Sequence, residues 1–177
     1  MIPTHSRPSS ARTATGIRFL ENLAYLVPGY RGYKDKDLRR EEDARLRGRV
    51  LAKLQVLRAL IEDRLALVTA DRMDERADAL DRRLRRLESL ADAVRYAPFG
   101  FSGFFDAERV REETLESLLE TDLLLFQDLD DAIERMRTTP FPPPTPDDFI
   151  RYVLAFDQEI SQFEIRLIAR DKILGDR

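Results

Sequence analysis

Asp122 is the residue best placed in this sequence to do acid–base chemistry. On a helical wheel it falls between Leu118, Leu125 and Leu129, inside an apolar stripe. An ionised carboxylate in such a place is costly unless a cation or hydroxyl meets it. Arg18, Tyr25 and Arg111 are the candidate partners. The pattern favours a structural, buried polar role for Asp122; a catalytic acid is the lesser alternative, because perturbed carboxylates do mark sites.

The neighbourhood of Asp122 is acidic, with eleven acids and two Arg between Asp106 and Glu134. Glu112, Glu116 and Glu120 form an i, i+4 row that could suggest a metal. They project away from the Leu115–Leu129 stripe, so a solvated face is the expectation. Carboxylate-bridged di-metal bundles also need Glu-x-x-His on facing helices. The one His, at position 5, is not available for that, and Cys is absent. The absence of Cys excludes thiolate metal sites, disulfides and Cys nucleophiles, and a lone His in the tail makes a Ser-His-Asp triad close to impossible within one chain. No metal and no cofactor are expected.

Arg82, Arg83, Arg85 and Arg86 could bind phosphate, but Asp78, Asp81, Glu88 and Asp92 surround them at helical spacing. The reading is a charge-laced exposed face. Gly100-Phe101-Ser102-Gly103 lacks the Lys and the preceding strand of a phosphate loop. Lys and Arg number 30 against 33 acids, a net charge of −3, which argues against a nucleic-acid partner.

Two aromatic segments stand out. Val27-Pro28-Gly29-Tyr30-Arg31-Gly32-Tyr33-Lys34 holds large side chains on a glycine turn. Tyr96-Ala97-Pro98-Phe99-Gly100-Phe101-Ser102-Gly103-Phe104-Phe105-Asp106 adds four Phe. Phe104 and Phe105 are expected to plug the end of a helical core. Tyr30, Arg31, Tyr33, Phe99 and Phe101 are the candidate partner-binding residues, since Tyr and Arg are enriched at interface hot spots.

The string Pro28-Gly29-Tyr30-Arg31-Gly32-Tyr33-Lys34-x-Lys36-x-Leu38-Arg39-Arg40-Glu41, with the later Gly103-Phe104-Phe105-Asp106, resembles a family of small bacterial all-helical proteins of uncharacterised function. The resemblance runs from about residue 17 to the C-terminus. It implies an integral helical fold and a special role for these loops, and it supplies no reaction.

The elements that must position these residues are all helical. A short first helix is expected over Thr15–Val27, ended by Pro28-Gly29. A long second helix from Lys34 to Val68 carries Leu46, Val50, Leu54, Leu57, Ile61, Leu65 and Val68 on one face. A tight turn near 69–73, in preference to a helix continuous through the phase slip, precedes a third helix, whose Met73, Ala77, Leu80, Leu84, Leu87, Ala91 and Val94 alternate steps of 4 and 3, the seam of a supercoil. A fourth is expected from an Asp106 cap to Arg137. The Pro140–Pro146 run reads as a stiff connector in preference to a ligand for Pro-binding domains. A fifth helix opens on Thr145, Pro146 and Asp148.

The fold class is therefore all-α: an up-down bundle of four long helices with a short N-terminal helix. Helices two and three form an antiparallel hairpin that brings both aromatic loops to one end. Residues 1–15, with Arg7, Arg12, four Ser/Thr clustered between Thr4 and Ser10, two Pro and no acid, read as a disordered tail. Their composition also fits a transit peptide, without the amphipathic pattern, and no secretory h-region follows. Residues 16–177 form the single domain, and the expected location is the cytoplasm. Leu51, Leu60 and Leu67 make a second seam on the second helix, to be covered by the fifth helix or by a second copy in a homodimer. The functional expectation is a non-enzymatic interaction or adaptor protein that meets a protein partner through the loops. The alternative is membrane-surface association through Phe19, Leu20, Leu23, Leu26 and Val27 of the first helix; a carboxylate enzyme at Asp122 is third.

Overall fold

In chain order, five helices carry the described residues: α1 (Ser10–Leu26), α2 (Arg39–Ala70), α3 (Asp74–Tyr96), α4 (Glu112–Thr138) and α5 (Pro146–Gly175). The computed structural model describes residues 10–70, 74–97, 105, 107 and 110–175. The chain is an all-α bundle. α2 packs along α3, α4 along α5, and α2 meets α4; α1 lies on α4, and α3 touches α5 more lightly.

The expected apolar stripes face inward. Leu46, Val50, Leu54, Leu57, Ile61 and Val68 of α2 join Leu80, Leu84, Leu87 and Val94 of α3 in one core. Leu118, Leu125, Leu129, Ile133 and Met136 of α4 and Phe149, Phe156, Ile160 and Phe163 of α5 complete it. Burying each such side chain is worth about 1.5–3 kcal/mol, so the stripes provide the main drive for assembly. Leu51 and Leu60 pack partly against this same core, while Leu67 is exposed.

Three helix starts differ from expectation. α1 begins at Ser10, five residues early, because Ala11, Arg12 and Ala14 are good helix formers just past Pro8. Ser10–Ala14, expected in the tail, are thus helical; residues 1–9 lie outside the described residues. α2 begins at Arg39 instead of Lys34. Asp35 holds the intervening stretch in turns: its Oδ1 accepts the Asp37 N–H at 3.0 Å, and its carbonyl accepts the Leu38 N–H. α4 begins at Glu112 after an extended Arg111. The Arg39 guanidinium takes the Ala107 carbonyl at 2.7 Å, tying the approach to α4 to the start of α2. The proposed Asp106 cap lies outside the described residues; of the turn expected near 69–73, positions 69 and 70 are still helix at the end of α2, and 71–73 lie outside the described residues.

The start of α5 is as the sequence indicates. The Thr145 Oγ1 accepts the Asp148 N–H at 3.1 Å and donates to its carboxylate at 2.6 Å. Upstream, the Phe141 ring of the proline segment stacks on Tyr152 at 5.6 Å and beneath the Arg64 guanidinium at 5.0 Å. The segment is therefore fastened to α2 and α5. Among the described residues, no helix is long and apolar enough to cross a membrane.

Candidate functional site

The site begins with a continuation of the α2 stripe. Stepping back from Val50 and Leu46 by 3 and 4 reaches Asp43 and Arg39. Both are buried, at 0% and 2% exposure, with Arg47 alongside. On α5 the apolar positions Phe163, Leu167 and Leu174 share their stripe with Arg170, which is 1% exposed. On α4 the odd residue is Asp122, at 0%. Three helices thus each direct a charge into the core at the same end of the bundle.

The charges meet. Arg170 Nε donates to Asp122 Oδ1 at 2.6 Å, and its Nη2 donates to Asp43 Oδ1 at 2.5 Å. The same Nη2 donates to the Tyr33 hydroxyl at 2.9 Å, and that hydroxyl donates to Asp122 Oδ2 at 2.9 Å. Arg47 Nε donates to Asp43 Oδ2 at 2.7 Å, and Arg47 Nη1 reaches the Val94 carbonyl at the end of α3. Two carboxylates and two guanidiniums balance to zero, and both oxygens of each acid are engaged. Such a set avoids the unpaired buried charge that costs most.

Electrostatics follow the geometry. Burial raises the Asp122 carboxyl above its ordinary value, against the pull of Arg170 and the Tyr33 hydroxyl. Burial alone would lower the Arg170 pKa; Asp122, Tyr33 and Asp43 outweigh it and hold it well above the usual arginine value. Burial, reinforced by Asp122, keeps the Tyr33 phenol protonated far beyond its normal range. The acid and cation therefore form a fixed pair, with no exposed face from which Asp122 could reach a substrate. A cavity of about 40 Å³ adjoins Arg47 and Arg170 between Leu46, Val50, Val94 and Leu167. That is room for about three waters, on the scale of about 10–15 Å³ for each.

The cluster anchors the loop between α1 and α2. Gly29 and Gly32 take φ of +81° and +79°, a region that side chains rarely enter. The turn they make carries Tyr30 and Tyr33 inward, edge to face at 5.6 Å. Arginines of α2 then take the loop's carbonyls: Arg49 that of Leu26 at 3.2 Å, Arg45 that of Gly29 at 2.5 Å, Arg39 that of Tyr33 at 2.8 Å. Glu42, 1% exposed, accepts the Arg31 N–H at 3.0 Å and the Arg45 guanidinium at 2.9 Å.

This placement changes the reading of the candidate contact residues. Tyr30 and Tyr33 are 4% and 1% exposed, so their rings belong to the core and are not presented to a partner. Arg31 is exposed. Phe99 and Phe101 lie outside the described residues, as does Phe104; Phe105 is buried beneath the Arg40 guanidinium at 5.8 Å. Arg39 bonding to Ala107 and Arg40 covering Phe105 bring the two loops to one end of the bundle. Asp122 is buried and paired, but with Arg170 and Tyr33 instead of Arg18, Tyr25 or Arg111. Tyr25 is 87% exposed.

Sequence reasoning missed Asp43, Arg47 and Arg170. It also read the α3 arginines as a solvated face, whereas Arg83 pairs with Asp157, and Arg86 with Glu164 at 2.7 Å, across to α5. Arg85 does pair within its own helix, with Asp81. Among the described residues, no group of three or more His, Cys, Asp or Glu is placed to hold a metal ion. Comparison with family models, with curated proteins and with solved structures finds no match to the chain.

Proposed function

We propose that the chain is a non-enzymatic helical interaction protein, and that the exposed rim of the α1–α2 loop, with Arg31 at its centre, meets a protein partner. The observation that carries this reading is the fixed backbone beneath an exposed Arg31. The carbonyls at Leu26, Gly29 and Tyr33 and the Arg31 N–H itself are all bonded to side chains of α2. A side chain displayed on such a frame orders little further on binding, which lowers the entropic cost of association. Arg is also a frequent hot-spot type.

The enzyme reading has less support, because the Asp122 carboxylate is saturated by Arg170 and Tyr33 inside the core. The membrane reading loses its apolar face: Leu23 and Val27 are buried, and Phe19, Leu20 and Leu26 pack against the same core. The likeness of the Pro28–Glu41 string to the small bacterial helical family, and a cytoplasmic location, belong to this proposal.

Affinity capture from the native host with wild-type and Arg31→Ala baits tests it. The substitution touches no buried side chain, so the melting temperature should be unchanged. A protein retained by wild type and lost from the variant supports the reading. Identical captured sets, or recovery on anionic vesicles with no protein partner, contradict it.

A further inference from the structure

The outer face of α5 carries a stripe that the bundle leaves uncovered. Ile150, Leu154, Ile165 and Ile168 are each more than half exposed. Their spacings of 4, 11 and 3 place all four within about 60° around a helix of 3.6 residues per turn. From Ile150 to Ile168 the stripe is about 27 Å long at 1.5 Å per residue. It stands apart from Phe149, Tyr152, Phe156, Ile160 and Phe163, which point into the core. The second seam on α2 is a different surface, and Leu51 and Leu60 there already pack against the chain's own core.

The stripe is nearly the same read in either direction. Ile150 lies nine residues before Glu159, and Ile168 nine after; Leu154 lies five before, and Ile165 six after. The ends are charged with opposite sign on that same face: exposed Asp147 is twelve before, and exposed Lys172 thirteen after. Exposed Gln158 and part-buried Ser161 form a polar centre.

From this near-palindrome we infer that α5 is a self-complementary interface, and that its occupant is a second copy of the chain lying antiparallel across a two-fold axis near Glu159. In that arrangement Ile150 meets Ile168 of the second copy and Leu154 meets its Ile165. Asp147 meets Lys172 at both ends, and Gln158 faces Ser161 at the centre. A parallel copy would instead set Asp147 against Asp147 and Lys172 against Lys172. One polar layer within an apolar seam is also the device that fixes register and orientation in paired helices. Two of the flanking acids are already neutralised within the chain, Asp157 by Arg83 and Glu164 by Arg86, so neither presents an uncompensated charge to the copy. A two-fold interface has this self-matching property by necessity. This inference is independent of the role proposed for Arg31.

Light scattering on the full chain at micromolar concentration tests it. Wild type should run at twice its 20.6 kDa chain mass. Leu154→Glu should return the mass to one chain while the helical circular dichroism stays unchanged, since Leu154 is on the surface. Asp147→Lys should weaken the dimer, and adding Lys172→Asp should restore it. The chain has no Cys, so orientation is read by mixing a tagged Leu154→Cys variant with an untagged Ile165→Cys variant under oxidising conditions. The mixed disulfide should predominate over either self-linked product. A monomeric wild type, a dimer that survives Leu154→Glu, or a predominance of self-linked Leu154→Cys would each overturn the proposal.

Discussion

Arg170 Nε donates to Asp122 Oδ1 at 2.6 Å, with the two side chains 2% and 0% exposed. That bond joins α5 to α4, and the second arm of the same guanidinium joins both to Asp43 on α2. Arg170→Met strips the cation from buried Asp122 and leaves Asp43 to Arg47. Removing one partner of a buried pair costs about 3–5 kcal/mol. Arg170→Lys should recover little, because a single ammonium cannot span both acids and the tyrosine as a planar fork does. Urea unfolding measures both; a loss below about 1 kcal/mol for Arg170→Met would show the pair to be dispensable.

The two loop tyrosines should respond differently to loss of their hydroxyls. Tyr33→Phe removes a group that donates to Asp122 and accepts from Arg170, at a cost of about 1–3 kcal/mol. The Tyr30 hydroxyl is buried with no partner in bonding geometry. Tyr30→Phe should therefore be neutral or slightly stabilising. Equal losses in the two variants would place the Tyr30 hydroxyl inside the network.

Gly32→Ala should be worse than Gly29→Ala. Both positions have positive φ, which alone costs a side chain about 1–2 kcal/mol. At Gly32 the new Cβ would also lie 2.9 Å from Leu20 Cδ1, whereas at Gly29 its nearest neighbour is the Arg45 side chain at 3.6 Å. Comparative thermal unfolding would show the order; a reversed order would contradict the packing of α1 against the loop.

Glu159 gives a pH signature. Burial raises its carboxyl above the ordinary 4.5, against Arg135, and one of its oxygens is buried without a partner. The folded chain therefore keeps this proton at a pH where the unfolded chain has released it. Its contribution is fully present below the ordinary value and is lost as pH rises through the raised one. Glu159→Gln removes that dependence, so the variant should gain on wild type in urea midpoint as pH rises above the ordinary value of 4.5. A difference that is flat with pH would contradict the shift. Asp148 runs the other way. Its bonds with Thr145 and Arg151 lower its pKa, so its contribution is present above the ordinary Asp value of 3.8 and lost on acidification.

The helices were legible because their apolar stripes are long and regular, as from Leu46 to Val68 and from Leu80 to Val94. The start of α2 was not, because Asp35 holds the residues before it in turn bonds that helical periodicity does not register. Asp122 was legible as a charge in an apolar stripe. The same signal was present for Arg170, between Leu167 and Leu174, and for Asp43, one step before Leu46. Periodicity marks each of these as an intruder on its own helix. Which intruders meet depends on how far each helix slides along its neighbour, and spacing within one helix does not contain that. The tyrosines misled for a related reason: a glycine turn shows that Tyr30 and Tyr33 are held, but not which way they point.

Asp122 and Arg170 act as one internal tie between α4 and α5. A double-mutant cycle of Asp122→Leu and Arg170→Met, read by urea unfolding, tests it most directly. Each single variant leaves a buried charge without its main partner, while in the double variant Asp43 keeps Arg47 and no acid is stranded. The double variant should therefore lose less stability than the sum of the singles, by about 2–3 kcal/mol. Additive losses, with a coupling below about 0.5 kcal/mol, would contradict the account.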